Sequence, residues 1–370
     1  MTNKLRAILT ASVFTVILAG FFTLNLIVPS PEISQSERRR LAQFPELTLK
    51  TLANARFMSK FEDFAADSFT ARDTFRRVRA EIVFNALFMS DKSGLYLGES
   101  GAGKFQRLNE REYRLSADKL RRVASAHLSE LNVFYCVIPD KSYYSDVKYP
   151  GFDPDAAASI LSRELSDFSR IDITEALDSS SFYNTDLHWD QTRLRPLLAS
   201  LGAGLGADFS GAYDALAPVT LGEFYGVYPG QLALPMPPDK LTYLIAANSA
   251  VTVTTLNAQT AQFEITALYA DALFTRGDPY DVFLYGAQPL IILENARANS
   301  DKTLYIFRDS FASSLAPLLA ESGAYSKIIL IDLRYIDSRI LDAFIAFEPG
   351  SDALFLYSSQ VLNNSSILKV

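Results

Sequence analysis

Beyond Glu110 the chain alternates helical patterns with short runs of consecutive apolar residues, and these runs predict buried β-strands. Four runs stand out, at 133–138, 304–307, 328–331 and 353–357. Continuous β-branched and aromatic runs separated by helical stretches are typical of parallel strands covered on both faces. The pattern therefore predicts an α/β fold, in which a parallel sheet is flanked by helices.

A different pattern, alternation of apolar and polar residues, interrupts this rhythm between about Leu241 and Phe274. It is clearest at 251–255 and 262–266. Alternation with a period of two residues indicates strands with one solvent-facing side. We therefore expect a small antiparallel β insertion within the α/β domain.

Between Phe57 and Met89 apolar residues recur at steps of three and four, the spacing of one helix face. The recurring positions are Phe57, Phe61, Phe64, Phe75, Val78, Ile82 and Ala86. The stripe predicts an amphipathic helical region that packs as core against the main domain. An aromatic ligand site is the alternative interpretation.

The amino terminus carries an uncharged, mostly apolar run from 7 to 28, preceded by Lys4 and Arg6. Its length suits a membrane-spanning helix, so we interpret it as a transmembrane signal anchor. Cleavage after Ala19 or Gly20 is the alternative, and the flanking charges leave the orientation open. The predicted organisation is a signal anchor at 7–28, a linker with the amphipathic helical region at 29–110, and the α/β catalytic domain at 111–370.

Composition narrows the classes of function. The formal net charge of the 370 residues is −7, and nucleic-acid binding depends on basic patches, so no nucleic-acid partner is expected. The single cysteine, Cys136, excludes an intramolecular disulfide. With two histidines in the chain, a histidine-rich metal site is not expected, and we predict no cofactor.

The segment 98–104 matches G-x-x-x-x-G-K, the pattern of phosphate-binding loops. Phe105 follows the lysine where that motif needs a Ser or Thr hydroxyl to bind magnesium. A turn between two short strands, with positive φ at Gly101 and Gly103 and a solvated Lys104, explains the segment without a ligand. We favour the turn and rank nucleotide binding third among the candidate functions.

Ser310 follows the apolar run 304–307 and precedes residues that can start a helix. A serine at the carboxyl end of a parallel strand lies where α/β sheets bind ligands, and the N–H groups of the next helix face a developing oxyanion. Ser310 is therefore a candidate nucleophile and oxyanion donor. A plain helix N-cap is the alternative that this segment alone favours.

Asp186 and His188 lie in a polar stretch before a helix that begins near Asp190. A serine nucleophile needs a base, and the base needs a carboxylate on its second ring nitrogen. Residues two apart share a side in an extended loop but not in a helix, so we expect the pair before the helix. In isolation, a surface or cap histidine better explains His188. His127, with no acid at suitable spacing, is assigned a structural role.

The segments around Asp186, His188 and Ser310 resemble those of the alginate O-acetyltransferase-like proteins and the related DHHW proteins, which carry an SGNH-hydrolase-like domain. Residues 185–189 are similar to their D-x-H-W signature, and 308–311 to their D-S-F block. Further similarities lie at 37–45, 64–72 and 139–141. The resemblance runs from about residue 31 to the end of the chain.

The resemblance implies a flavodoxin-like sheet with a permuted motif order, since ordinary SGNH hydrolases place the serine first. It implies that Ser310 attacks an acyl carbonyl, His188 takes the proton and Asp186 orients His188. Two residues depart from the family pattern: Leu187 stands at a histidine position, and Arg308 replaces a glycine. The candidates for oxyanion or substrate contacts are Gly286, Asn295 and Lys141.

By the same resemblance, the expected activity is transfer of an acyl group, most simply acetyl, to a cell-envelope or secreted polysaccharide, or its hydrolysis by an esterase. The expected location is the extracytoplasmic side of the cell membrane, with a multispanning membrane protein as acyl donor. A catalytically idle glycan-binding or scaffold protein is the alternative from another class.

Overall fold

The computed structural model describes residues 3–29, 31–34, 36–147 and 152–370. Its α-helices are α1 (Asn3–Ile27), α2 (Leu49–Ala53), α3 (Arg56–Ser68), α4 (Arg72–Glu81), α5 (Glu110–His127), α6 (Pro154–Glu164), α7 (Arg195–Leu205), α8 (Val227–Leu232), α9 (Phe311–Glu321) and α10 (Ser359–Leu362). Its strands are β1 (Ile33–Ser34), β2 (Arg39–Arg40), β3 (Asp91–Lys92), β4 (Leu95–Gly98), β5 (Gly101–Lys104), β6 (Asn132–Ile138), β7 (Ser169–Arg170), β8 (Ala217–Phe224), β9 (Asp239–Ile245), β10 (Val251–Asn257), β11 (Gln262–Thr266), β12 (Leu290–Asn295), β13 (Thr303–Arg308), β14 (Lys327–Ile331) and β15 (Asp352–Ser358).

The chain forms two compact units. The N-terminal unit contains the residues up to Lys92 together with Val227–Met236. The α/β unit contains Ser93–Gly226 and Pro237–Val370. The apolar pattern predicts that the α/β unit begins at residue 111. The unit begins earlier, at Ser93, because the strands of the glycine-rich segment belong to it.

In the N-terminal unit, α1 covers the apolar run of the predicted anchor. Among the described residues it is the one helix that is long and apolar enough to cross a membrane. The predicted amphipathic region is two helices, because α3 ends at Ser68 and α4 starts after Ala71, which has φ 60°. The prediction that its stripe packs as core is wrong, since Phe75, Val78 and Ile82 are exposed.

The α/β unit is built on an eight-stranded sheet with the order β11-β10-β12-β14-β13-β15-β6-β7. The strands from β14 to β7 are parallel, and β12, β10 and β11 continue the sheet antiparallel at one edge. The four predicted apolar runs are β13, β14, β15 and β6, so the predicted α/β fold is confirmed. The apolar pattern does not predict β12, which connects the parallel strands to the antiparallel edge.

Both faces of the central strands are buried, because successive side chains of a strand point to opposite sides. In β13, Leu304 and Ile306 pack into the core shared with α7 and α9, whereas Tyr305 and Phe307 pack into the core shared with α5 and α6. This two-sided burial explains why the strands are unbroken apolar runs in the sequence. The chain leaves β13 at the carboxyl edge of the sheet and enters α9 directly.

The alternating segments form the hairpin of β10 and β11, so the predicted antiparallel insertion is confirmed. The hairpin is not separate from the main sheet, because β10 also pairs with β12. The preceding strands β8 and β9 form a two-stranded antiparallel sheet of their own.

The glycine-rich segment is a β-hairpin, in which β5 pairs antiparallel with β4. In a phosphate-binding loop a helix starts at the lysine, so that its N–H groups face the phosphate. Here Lys104 ends a strand, and α5 begins at Glu110. The segment therefore forms a turn between two short strands, as the favoured interpretation has it, and does not have the geometry of a phosphate-binding loop.

The two glycines of β5 are needed for different reasons. Gly101 has φ 94°, as expected, and a Cβ there would collide with the backbone of Asn184. Gly103 does not share this φ, and a Cβ there would meet the buried Tyr96 ring instead. The Ala102 N–H donates to the Asn184 carbonyl at 2.8 Å, so the hairpin supports the segment that leads into Asp186.

Replacing Gly101 with alanine should lower the free energy of unfolding by about 1–3 kcal/mol, because the new Cβ is strained at this φ and meets the Asn184 backbone. Urea-induced unfolding followed by circular dichroism measures the effect. Lys104→Ala, an exposed change in the same strand, is the matched control and should shift the free energy by less than about 0.5 kcal/mol. Equal stabilities of the two variants would contradict the supporting role of the hairpin.

Candidate active site

Ser310 lies between β13 and α9, at the carboxyl edge of the sheet. Its backbone is helical, with φ −64° and ψ −22°, and its hydroxyl makes no capping hydrogen bond to α9. Asp309 supplies that bond, since its Oδ1 accepts from the Phe311 N–H at 3.1 Å. The interpretation of Ser310 as a plain N-cap is therefore wrong, and its hydroxyl is available to another partner.

That partner is His188, whose Nε2 lies 2.8 Å from Ser310 Oγ. On the other side of the ring, Nδ1 lies 2.6 Å from Asp186 Oδ1. The same carboxylate oxygen accepts from the His188 backbone N–H at 3.1 Å, a local turn that keeps the acid beside the imidazole. The pair precedes the 3-10 turn Gln191–Arg193, as expected. The structure thus brings Asp186, His188 and Ser310 into one hydrogen-bonded chain.

Aromatic side chains hold the plane of the His188 imidazole. The Tyr280 ring stacks on it with centroids 3.9 Å apart and planes at 9°. The Tyr280 hydroxyl donates to Ser314 Oγ at 2.8 Å, and the same oxygen accepts from the Trp189 indole N–H at 2.8 Å. Trp189 and Tyr280 are therefore joined through the Ser314 hydroxyl next to the imidazole. Sequence reasoning missed Tyr280, because no local pattern connects it with a distant histidine.

The segment that precedes Asp186 is held in place by hydrogen bonds to the Asp239 carboxylate. Asp239, at the start of β9, accepts from the N–H groups of Asn184 at 3.0 Å and Thr185 at 2.7 Å, and from the Thr185 hydroxyl at 2.7 Å. Charged acceptors make stronger hydrogen bonds than neutral ones. Sequence reasoning missed Asp239 as well, because its partners lie far away in the chain.

Lys141 is not placed as a substrate contact. Its buried ammonium donates to the carbonyls of Ala102 at 2.8 Å and Tyr183 at 2.6 Å, and so joins the β5 hairpin to the segment that leads into Asp186. Burial lowers the pKa of Lys141 to about 8, while Asp239, Asp186 and Asp140 oppose the shift. The prediction for Lys141 is corrected: it positions the segment that bears Asp186 and His188.

Gly286 and Asn295, the two candidate oxyanion donors, already donate hydrogen bonds to carbonyl groups of the protein. The Gly286 N–H donates to the Phe283 carbonyl at 3.1 Å. The Asn295 amide donates to the Ala320 carbonyl at 2.8 Å, near the carboxyl end of α9. Asn295 ends β12, which is antiparallel to β14, so it lies at the sheet edge opposite Ser310. Both predictions are therefore wrong.

Arg308, which stands where the family pattern has a glycine, is fully buried. Its Nη1 donates to Ser313 Oγ at 3.0 Å and lies 3.7 Å from the Asp332 carboxylate. Asp332 in turn binds the guanidinium of Arg334 through both oxygens, at 2.9 Å and 2.7 Å. Burial lowers the pKa of Arg308, and Asp332 opposes that shift. The arginine therefore supports the first turn of α9 through its hydrogen bond to Ser313.

A cleft of about 380 Å³ opens beside Ser310. Polar side chains dominate its wall, among them Arg334, Gln360, Asn363 and Asn364. Leu187, the second departure from the family pattern, also lines it. Such a wall suits a polar ligand with several hydroxyl groups.

The second histidine offers a contrast. His127, in α5, has its Nδ1 3.0 Å from Asp342 Oδ1, and its ring packs 5.3 Å from that of Phe347. An acid is therefore present after all, supplied by a distant part of the chain. These contacts are consistent with the structural role assigned to His127.

The fold and the order of these residues define an α/β protein whose candidate acid and base precede the candidate nucleophile in the chain. No family model matches the sequence, and no curated protein matches it. Solved structures do match the fold. A DHHW family protein from Eubacterium siraeum is 19% identical, with a TM-score of 0.60 over 75% of this chain and 94% of that chain.

Bacillus cereus PatB1 is 16% identical, with a TM-score of 0.57 over 75% of this chain and 99% of that chain. The structure of PatB1 with a sulfonyl adduct has a TM-score of 0.56 at 16% identity, over 72% and 95% of the two chains. At these identities the likeness concerns the fold. The resemblance inferred from the motifs is confirmed at that level.

The lowered pKa of Lys141 predicts how the stability of the protein depends on pH. Its folded pKa of about 8 lies below the usual 10.5, so the unfolded chain binds the proton more tightly and stability rises with pH between these values. The free energy of unfolding of the native protein relative to Lys141→Met should therefore increase by up to about 3 kcal/mol across this range. Urea unfolding of both proteins from pH 8 to pH 10.5 measures the difference, and a constant value would contradict the lowered pKa of Lys141.

Proposed function

We propose that this chain is a membrane-anchored serine O-acyltransferase that acetylates a polysaccharide of the cell envelope. The observation that carries the proposal is the hydrogen-bonded chain from Asp186 Oδ1 through His188 to Ser310 Oγ, with distances of 2.6 Å and 2.8 Å. In such an array the carboxylate orients the imidazole, and the imidazole takes the proton of the serine.

In the first half of the reaction, Ser310 Oγ bonds to the carbonyl carbon of an acyl donor as its proton moves to His188 Nε2. Asp186 stabilises the imidazolium that forms. The Ser310 N–H, which donates to no acceptor within the described ranges, is free to bind the oxyanion at the positive end of α9. His188 then gives its proton to the leaving group, and an acyl-enzyme ester remains.

In the second half, a sugar hydroxyl attacks the ester while its proton moves to His188. The acyl group passes to the sugar, and His188 returns the proton to Ser310 Oγ. The polar wall of the cleft favours a polyhydroxyl acceptor. Water in place of the sugar would make the enzyme an esterase, with the same first half.

The remaining parts of the proposal concern location and partners. Helix α1 is proposed to anchor the chain, with the α/β unit on the extracytoplasmic side, and a multispanning membrane protein is proposed to supply the acetyl group. The likeness in fold to a DHHW family protein, and the sulfonyl adduct carried by PatB1, support a nucleophile of this kind.

The nucleophile is tested with p-nitrophenyl acetate and a sulfonyl fluoride. The native protein should release p-nitrophenol and gain an acetyl or sulfonyl adduct on Ser310, measured by intact mass and peptide mapping. Ser310→Ala and His188→Ala should each lose at least about a thousandfold in kcat/KM, and Asp186→Asn a similar factor, because the three residues act as a unit.

Two substitutions serve as matched controls. Ser322→Ala changes a serine at the far end of α9, and His127→Ala changes the other histidine. Both should keep the native rate and the adduct. Background rates in all of the proteins, without an adduct on Ser310, would favour the catalytically idle glycan-binding alternative.

Transfer and hydrolysis are separated by adding an acceptor. Acetylated oligosaccharides should appear when the protein is incubated with p-nitrophenyl acetate and cell-envelope oligosaccharides, and Ser310→Ala should make none. Mass spectrometry of the oligosaccharides measures the product. Release of free acetate alone, undiminished by any acceptor, would identify an esterase.

A further inference from the structure

Helix α4 presents an apolar face that the N-terminal unit does not cover. Phe75, Val78 and Ile82 are 50%, 51% and 48% exposed, and their spacing of three and four residues places them on one side of the helix. The stripe continues past the π-helical turn Ile82–Ala86 into Phe88, which is 85% exposed. Exposed apolar surface of this extent marks an interaction site. We name these four residues the α4 stripe.

The opposite side of α4 faces inward. Arg72 and Arg76 lie one turn apart and pair with Glu37 at 2.7 Å and 3.1 Å, and Ala80 on the next turn is buried. Polar residues, including the exposed Arg77, occupy a third side of the helix. The α4 stripe is thus directed outward by ion pairs that fix the rotation of the helix.

The helix is also joined to α1. The Phe21 ring of α1 stacks on Phe69 with centroids 5.2 Å apart, and contacts Phe75 at 5.8 Å. Asn25 Oδ1 accepts from the Thr70 N–H at 2.6 Å. The start of α4 is therefore held against the last two turns of α1.

These contacts set the depth of α4 relative to α1. Phe21 lies six residues before the end of α1 at Ile27, which is about 9 Å along the helix axis. The 25 residues of α1 span about 37 Å, a little more than the ~30 Å hydrocarbon core of a bilayer. If α1 crosses the bilayer, Phe75 lies within the outer part of the apolar layer, where interfacial helices bury their apolar face by about 5–10 Å.

We propose that the α4 stripe inserts into the lipid bilayer at the interface where α1 leaves it, so that α4 lies in the membrane surface. This inference rests on the proposed anchoring by α1 and is independent of the proposed chemistry. Lipid is the occupant that the structure favours, since the stripe continues from the membrane-spanning helix and Arg77 and Arg79 can reach anionic headgroups. A second copy of the chain or another protein are the competing occupants.

Single labels in full-length protein test the proposal. Cys136 is buried and is replaced by alanine to remove the native thiol. One cysteine is then introduced by Val16→Cys in α1, Val78→Cys or Phe88→Cys in the stripe, or Arg77→Cys on the polar side, and is labelled with an environment-sensitive fluorophore. Each protein is reconstituted at low density into phosphatidylcholine and phosphatidylglycerol vesicles, with or without brominated acyl chains.

Brominated lipid should quench the labels at Val16, Val78 and Phe88 by about twofold or more, and leave the label at Arg77 nearly unchanged, because bromine quenches only probes within the apolar layer. Quenching at Val16 but not at Val78 or Phe88 would overturn the insertion of α4 while α1 remains an anchor. No quenching at Val16 would contradict both the anchoring by α1 and the insertion of α4. Labels on the stripe that are shielded from aqueous iodide but not quenched by lipid would show that protein covers it, which also overturns the proposal.

Discussion

The hydrogen-bonded chain from Asp186 through His188 to Ser310 is the interaction on which the candidate site depends. Its two ends come from segments 122 residues apart, and a hydrogen bond tolerates only a few tenths of an ångström between them. One end is set by the sheet, because β13 is buried on both faces and delivers Ser310 to the carboxyl edge. The other end is set by hydrogen bonds, because the segment before Asp186 has no regular secondary structure to hold it.

That difference explains the charged side chains around the site, of which Lys141, Arg308 and Asp332 are buried and Asp239 is half-buried. Asp239 and Lys141 satisfy the backbone groups of the irregular segment, and Arg308 lies beneath Ser310 with Asp332. Buried ions are costly to desolvate, and removing one member of such a pair commonly costs about 3–5 kcal/mol. An irregular segment has few other ways to satisfy its buried backbone groups. The stability of the unit and the geometry of the site are therefore coupled through the same side chains.

Several misleading patterns in the sequence have a common origin. The glycine-rich segment imitates a phosphate-binding loop because both need glycine where the backbone is crowded, but here the crowding comes from Asn184 and Tyr96. The stripe of α3 and α4 has the periodicity of a core helix, yet periodicity specifies which side is apolar and not what that side meets. Gly286 and Asn295 have suitable donors, but those donors already serve other carbonyls.

The sequence by itself determined the α/β class, the four central strands, the apolar amino-terminal helix and the local pairing of Asp186 with His188. These features depend on neighbouring residues, through burial of consecutive side chains or through a two-residue turn. Only the tertiary structure decided that Ser310 meets His188, that Tyr280 stacks on the imidazole and that Lys141 positions the segment rather than the substrate. Those contacts join residues that are distant in the chain, and no local propensity specifies which distant partner a polar side chain finds.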